Sequence, residues 1–152
     1  MVVIVLALMT SIVTPLFRAT MIRLRTEQGI TEFLTAVQYA QERAVSDGRE
    51  FRIYIDARAN RYWIERFVEV DDDGERVYEP FEQFGMRQLP EEISFRRVSA
   101  KTHRESRAQY ITCYPSGACD HASITIDRAH GRSMTIDTRG RIASFRVRDR
   151  ER

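Results

Sequence analysis

The 152-residue chain has few of the residues that build common catalytic and metal sites. It has two cysteines and three histidines, and Lys101 is the only lysine among 24 basic residues. It contains no glycine-rich phosphate loop and no G-x-S-x-G nucleophile turn. Its formal net charge of +2 excludes a protein whose overall field is strongly acidic or basic. The length predicts one domain of ordinary size.

The residues that resemble catalytic or metal-binding groups lack the surroundings that such sites need. Ser116, Asp120 and His121 would be the members of a hydrolase triad, but no strand-to-helix turn is predicted near Ser116. The acidic run at residues 71–75 lacks the loop with a distal bidentate glutamate that binds calcium, so we interpret it as a solvated hairpin tip. We therefore predict no enzymatic activity, no cofactor and no metal site.

Residues 1–17 carry no charge, and every charged residue lies from Arg18 onwards. As a helix they would extend about 25 Å, slightly less than the roughly 30 Å of a bilayer core. A secretory signal peptide fits poorly, because no basic residue precedes the run and no small-x-small cleavage site follows it. A buried core helix is the other alternative, but a small domain rarely buries a helix on every side. We interpret residues 1–17 as a membrane anchor.

Residues 18–47 predict an amphipathic continuation of the same helix. Apolar and small side chains recur at intervals of three and four residues and form one stripe, while charged and polar residues occupy the other faces. The stripe consists of Ile30, Phe33, Leu34, Val37, Ala40, Gln41 and Ala44. Gly48 is a typical helix end, which gives one helix of about 45 residues. Pro15 is expected to kink it and Gly29 to soften it.

Residues 48–152 predict short strands separated by turns. Phe51, Ile53 and Ile55 alternate with polar residues, and the sequence RYWIERFVEV forms the returning strand. Further strands are predicted at residues 93–98, 110–114, 123–127, 133–137 and 141–147, and residues 99–109 are predicted to be an exposed loop. The predicted fold class is α+β, with a long N-terminal helix packed on an antiparallel sheet of roughly six or seven strands.

Cys113 and Cys119 flank the sequence YPSGA, a turn that would fold the two cysteines back toward each other. A disulfide across this loop would stabilise the fold by about 2 kcal/mol and would place the domain outside the cytoplasm. The alternatives are two free thiols, or a metal site that also uses His121, although C-x5-C-x-H matches no common zinc spacing. We favour the disulfide.

Arginine is concentrated at the C terminus. The last fourteen residues contain Arg139, Arg141, Arg146, Arg148, Arg150 and Arg152 against only two acidic residues. The last four alternate with other residues, so an extended segment would project them to one side. Such a row would bind a phosphate backbone with an affinity that falls steeply as salt rises. The alternative is a solvated chain end.

Four segments resemble type IV pilin-like proteins and occur in the order that this family shows. VVIVLALMTSIVTP is similar to the hydrophobic half of a prepilin-type signal. ITEFLTAVQYAQERAVSDGREFRIYID resembles the segment in which the family's helix runs into a strand. ITCYPSGACDHASITI is similar to a proline- and glycine-containing stretch of GspH/FimT-type pseudopilins, and SMTIDTRGRI resembles their closing strand. The resemblance extends across most of the chain.

The beginning of the family motif has no counterpart in residues 1–17. The family opens with a short basic leader, followed by a glycine, an aromatic residue and a glutamate. The sequence as given begins inside this motif, which we expect to reflect a start codon assigned too late, at Met1. The alternative is a divergent protein that is not processed. A basic leader would hold the N terminus inside the cell. It would thereby explain why Arg18, Arg23 and Arg25 follow the apolar run on the periplasmic side, although basic residues beside a membrane segment usually lie in the cytoplasm.

The resemblance implies a minor pseudopilin, a structural subunit of a type II secretion system that supports protein export across the outer membrane. Residues 1–17 would cross the bacterial inner membrane once, after prepilin-type N-terminal processing and methylation, and would then pack against other pilin or pseudopilin subunits. Residues 48–152 would lie in the periplasm.

The alternative in the same family is a FimT-like minor pilin of a type IV pilus that binds DNA during uptake. The G-R-x-R-like element of that group is retained here only as Gly140 and Arg141. The residues that would bind nucleic acid are Arg139, Arg141, Arg146, Arg148 and Arg150.

Overall fold

The structure is a computed structural model that describes the backbone of residues 2–129, 133–138 and 146–150 and the side chains of residues 19–129 and 133–138. Within these residues a single helix, α1 (Val2–Asp47), is followed by ten strands. The strands are β1 (Phe51–Asp56), β2 (Arg61–Val70), β3 (Arg76–Pro80), β4 (Arg87–Gln88), β5 (Ile93–Ser99), β6 (Lys101–Thr102), β7 (Gln109–Cys113), β8 (Ala122–Arg128), β9 (Ser133–Thr138) and β10 (Arg146–Arg150). The predicted α+β architecture is confirmed.

The strands form two antiparallel sheets, and the prediction of a single sheet is wrong. The first sheet has the order β3-β2-β1-β7-β6, with β4 paired to β2, and the second has the order β10-β9-β8-β5. The chain leaves the second sheet at β5 and enters the first at β6, with only Ala100 between them. Period-two alternation looks the same in both sheets, so the sequence pattern does not show which strands belong together.

Three stretches of the sheet region differ from the sequence prediction. β3 and β4 have no predicted counterpart, because β3 ends in Pro80 and β4 is too short to show a period. The predicted loop at residues 99–109 contains β6 and the first residue of β7. The last strand was predicted at residues 141–147, whereas β10 continues to Arg150. Residues 139–145 lie outside the described residues.

The stripe on α1 forms the centre of the hydrophobic core. Phe33, Val37 and Ala40 are fully buried against β1 and β7. The Phe33 ring also contacts Tyr62 of β2 and Phe95 of β5, with ring centroids 5.2 Å apart in each pair. Since β2 and β5 belong to different sheets, Phe33 joins the helix to both.

The helix is continuous through Gly29, which makes a close contact possible. A Cβ atom at Gly29 would lie 2.6 Å from Cδ of Pro90 and 2.8 Å from Cδ1 of Ile93, closer than real Cβ contacts. Glycine at this position therefore allows the segment before β5 to approach the helix backbone. The expectation that Gly29 softens the helix stays a prediction. Gly48, with a φ of 64°, ends the helix as predicted.

Asn60 ties the first sheet to the second. It lies in the turn between β1 and β2 with a φ of 56°, a conformation that asparagine tolerates better than most residues. Its Nδ2 donates a hydrogen bond to the Ile93 carbonyl at 2.8 Å, and its Oδ1 accepts one from the Phe95 N–H at 3.0 Å. The Asn60 carbonyl accepts a third from the Leu89 N–H at 3.0 Å. One turn residue thus satisfies the backbone where β5 begins.

Within the described part of the chain, no helix combines the length and the apolar character needed to cross a membrane. The predicted membrane anchor falls on residues 1–17, whose side chains lie outside the described residues. The assignments of residues 1–17, 18–47 and 48–152 to membrane, amphipathic helix and periplasmic domain stay predictions.

Candidate interaction site

The residues of the hydrolase hypothesis are not arranged as a triad. Ser116 and His121 are exposed. The Asp120 carboxylate pairs with Lys101 Nζ at 3.0 Å and accepts hydrogen bonds from Tyr114 Oη at 3.1 Å and the Thr112 N–H at 3.3 Å. These partners occupy the carboxylate that would have to orient a catalytic histidine. Among the residues whose side chains are described, no group of three or more histidine, cysteine, aspartate or glutamate residues is placed to hold a metal ion.

Cys113 and Cys119 form a disulfide that closes the turn after β7. Their Cα atoms lie 4.1 Å apart, and Cys113 is completely buried. Within the turn the Tyr114 N–H donates to the Ala118 carbonyl at 2.8 Å. From the helix, Gln41 Nε2 donates to the Gly117 carbonyl at 2.5 Å. The disulfide thus closes a loop that is docked on α1.

Replacing both cysteines by alanine is expected to lower the free energy of unfolding by about 2 kcal/mol, because the short closed loop no longer restricts the unfolded chain. Chemical unfolding followed by the fluorescence of Trp63, the only tryptophan, measures the change. Reductant should destabilise the native chain to the same extent and leave the Cys113→Ala/Cys119→Ala variant unchanged. A native chain that is fully reduced yet equally stable would contradict the prediction.

The arginines proposed for nucleic-acid binding fall at the edge of the described structure. Arg139 and Arg141 lie outside the described residues. Arg146, Arg148 and Arg150 belong to β10, an edge strand of the second sheet, where they pair with Asp137, Thr135 and Ser133 of β9. The register therefore places these three arginines beside two hydroxyl residues and one aspartate.

The face of the first sheet that points away from α1 carries an aromatic cluster that the sequence analysis missed. Tyr54 of β1 lies between Trp63 of β2 and Tyr110 of β7, with ring centroids 5.4 Å away on each side. The Arg52 guanidinium lies 3.5 Å from the ring centroid of Tyr78 and 4.4 Å from that of Tyr110. We call these five residues the aromatic face. Four of the five lie on predicted strands, but Tyr78 lies on β3, which the sequence did not predict, and the sequence does not show which strands are neighbours.

Charged groups around the aromatic face are paired with one another. Glu50 binds the guanidinium of Arg76 and accepts a hydrogen bond from Tyr78 Oη at 2.6 Å. Burial alone would raise the pKa of Glu50, but the Arg76 and Tyr78 hydrogen bonds outweigh it and hold the pKa below its ordinary value. Burial, reinforced by the bond to Glu50, raises the pKa of Tyr78 to about 12. Apart from the buried Tyr54, the residues of the aromatic face are partly exposed. The face can therefore present tyrosine, tryptophan and arginine, residue types that are enriched in protein interfaces, to a neighbouring protein.

The Glu50 interactions predict a specific pH dependence of stability. A carboxylate whose pKa is lowered by folding contributes stability that is present above its unfolded pKa and is lost as the pH falls through the lowered folded pKa. Glu50→Gln is therefore expected to destabilise the chain most at neutral pH, with a difference from the native chain that shrinks below about pH 4. Unfolding curves recorded across this range measure it. Glu79→Gln, at an exposed position of β3, is the matched control and should show little difference at any pH.

The geometry resembles that of two solved pilin-type proteins. The minor pseudopilin EpsH from the type 2 secretion system of Vibrio cholerae matches 82% of this chain and 97% of its own, with a TM-score of 0.59 and 12% sequence identity. The chain has the pseudopilin fold. The type IV minor pilin FimU of Pseudomonas aeruginosa matches 83% of this chain and 90% of its own, with a TM-score of 0.52 and 16% identity. No protein-family model matches the chain, and no curated protein matches its sequence.

The pseudopilin fold confirms the architecture that the sequence resemblance implied. The chain has the expected long helix packed on antiparallel sheets and the favoured disulfide loop. The aromatic face is a candidate surface for protein contact, since tyrosine, tryptophan and arginine are enriched in such surfaces.

Proposed function

We propose that the chain is a minor pseudopilin, a non-enzymatic structural subunit of a type II secretion system that supports protein export across the outer membrane. The observation that carries the proposal is the fold shared with EpsH over nearly the whole EpsH chain. The aromatic face supports a role in protein contact, since tyrosine, tryptophan and arginine are enriched in protein interfaces.

The exposure of α1 supports assembly through the front of the helix. The folded domain buries one face of the helix from Thr26 onwards, whereas Met21 and Leu24 are 42% and 53% exposed. These two apolar side chains lie just after the uncharged residues 1–17. We propose that residues 1–17 reside in the inner membrane before assembly and then pack against the helices of other pilin or pseudopilin subunits. Residues 48–152 would face the periplasm, where the disulfide is compatible with an oxidising environment.

The test is complementation of a strain that lacks the gene, with export of a secreted enzyme as the readout. The native chain is expected to restore export. Leu6→Arg/Leu8→Arg, which places two charges in the uncharged run, is expected to abolish it, because charges are costly both in a bilayer and in a helix-packed filament core. Gln38→Arg/Glu42→Arg, at exposed positions of α1, is the control and should restore export. Normal export in the deletion strain would refute the proposal.

The register of β10 favours a second candidate, a minor pilin that binds DNA during uptake. It sets Arg146, Arg148 and Arg150 along one edge of the second sheet, at alternate positions. If this function holds, the protein should bind double-stranded DNA with an affinity that falls as salt rises, and the triple change of these arginines to glutamine should abolish binding. Absence of binding at low salt would leave the secretion pseudopilin as the only candidate.

A further inference from the structure

A basic segment lies exposed where the chain passes from the second sheet to the first. It carries Arg96, Arg97, Lys101, Arg104 and Arg107, which we call the basic arm, and one acidic residue, Glu105. Arg96 pairs with Asp127 at 3.5 Å and Lys101 with Asp120 at 3.0 Å, yet both side chains remain more than half exposed. Arg97, Arg104 and Arg107 are exposed and have no ion-pair partner among the described side chains.

A segment of opposite charge lies at the tip of the β2–β3 hairpin. Glu69, Asp71, Asp72, Asp73 and Glu75, here called the acidic tip, are all exposed, and no basic residue interrupts them. Among the described side chains, none of the five forms an ion pair. The tip has a defined shape, because Asp71 Oδ1 accepts hydrogen bonds from the backbone N–H groups of Asp73 and Glu75 at 3.1 and 2.7 Å.

The part of the basic arm that carries Lys101, Arg104 and Arg107 lies at the opposite corner of the first sheet from the acidic tip, too far away to pair with it. The hairpin tip extends beyond the end of the sheet where β1 begins, and the β6–β7 loop lies at the end where β1 finishes. β3 and β6 are at opposite edges, four strand spacings or about 19 Å apart. Tyr62 of β2 lies in the same row of the first sheet as Thr102 of β6. Along β2, Val70 lies about 26 Å beyond Tyr62. Among the described residues, the acidic tip therefore does not meet Lys101, Arg104 or Arg107 of its own chain.

We propose that the basic arm docks the acidic tip of a second copy of this chain. The evidence is the match of exposed charges. Five carboxylates without ion pairs stand against three arginines without ion pairs and two further cations, Arg96 and Lys101, that each pair with one aspartate. Such a contact is heterologous, because different surfaces meet, so it leaves a free arm at one end and a free tip at the other and can continue as an open chain. The contact goes beyond the proposed pseudopilin function and does not depend on it. Because its charges are exposed, it is expected to weaken strongly with salt.

The single lysine allows a direct test with a zero-length carbodiimide, which joins a carboxylate to an amine. The full chain is held in neutral detergent micelles as an equal mixture of unlabelled and nitrogen-15-labelled protein. We expect cross-linked peptides that join Lys101 of one chain to the acidic tip of another, with one labelled and one unlabelled peptide in each product. Their yield should fall at least fivefold when the salt concentration is raised from low to above physiological. The internal link between Lys101 and Asp120, which already lie 3.0 Å apart, is the positive control in the same sample.

Charge variants make the test specific. Asp72→Arg/Asp73→Arg and Arg97→Glu/Arg104→Glu should each abolish the mixed-isotope link when tested alone. A mixture of the two variants should restore it, with Lys101 supplied by the variant whose tip is changed. Glu79→Arg/Glu82→Arg introduces the same charge change at exposed positions outside the tip and should leave the link intact.

Three results would overturn the proposal. They are internal Lys101–Asp120 links without any mixed-isotope link to the tip, mixed links that survive both charge variants, and binding of the arm to DNA with no chain-to-chain link. None of them bears on the export test, so failure of this contact is distinguishable from failure of the proposed function.

Discussion

Phe33→Ala is expected to lower the free energy of unfolding by about 3–5 kcal/mol, the range for truncating a fully buried aromatic residue. The ring is completely buried and lies edge-to-face against Tyr62 and Phe95, which belong to different sheets. Its removal leaves a cavity where helix and both sheets meet, so the surrounding strands cannot collapse into it together. A loss of this size is a large fraction of the stability of a small domain, about 5–15 kcal/mol.

Equilibrium unfolding of the full chain in detergent micelles, followed by Trp63 fluorescence, measures the effect. Leu34→Ala is the matched control, because Leu34 is the neighbouring helix residue and is only partly buried. It should cost clearly less than Phe33→Ala. Equal losses for the two variants would mean that Phe33 does not join the three elements in the way the ring contacts indicate.

Asn60→Ala is expected to cost about 2–4 kcal/mol, the second largest effect of a single substitution. It leaves the buried carbonyl of Ile93 and the N–H of Phe95 without their side-chain partner, and each unsatisfied group costs about 1–3 kcal/mol. It also places alanine at a φ of 56°, where a Cβ-bearing residue without a local polar group is strained.

Asn60→Gly separates the two contributions. Glycine adopts the positive φ without strain but cannot form the amide hydrogen bonds, so it should recover only the backbone part of the loss. Unfolding curves of the native chain, Asn60→Ala and Asn60→Gly give the separate contributions of the amide hydrogen bonds and of the backbone strain to the free energy of unfolding. If Asn60→Gly is as stable as the native chain, the hydrogen bonds of the Asn60 side chain do not stabilise the start of β5, and Asn60 does not connect the two sheets as described.

The sequence predicts elements whose pattern is local. The stripe on α1, the end of the helix at Gly48 and the strand β2 (Arg61–Val70) follow from spacing within a single segment, and the structure has all three. Cys113 and Cys119 are brought together by a turn of seven residues, which is short enough to be recognised from its proline and glycine.

What the sequence does not predict depends on contacts between distant segments. The division into two sheets is decided where β5 passes into β6, and nothing in the local pattern marks that point. Gly29 has the appearance of a flexible residue, and only the approach of Pro90, sixty-one positions later, explains it. The aromatic face requires knowing that β1 lies between β2 and β7, because Tyr54, Trp63 and Tyr110 are then neighbours.

The most direct test of the central claim is to identify what the front of α1 contacts in the cell. A photoreactive amino acid in place of Leu6 probes the uncharged run, and one in place of Glu91, on the exposed surface before β5, is the control. If the chain is a pilin-type subunit, the Leu6 position should cross-link to other proteins with prepilin-type N termini, and the Glu91 position should not give the same products. Adducts at Leu6 that contain no pilin-type protein would contradict the account.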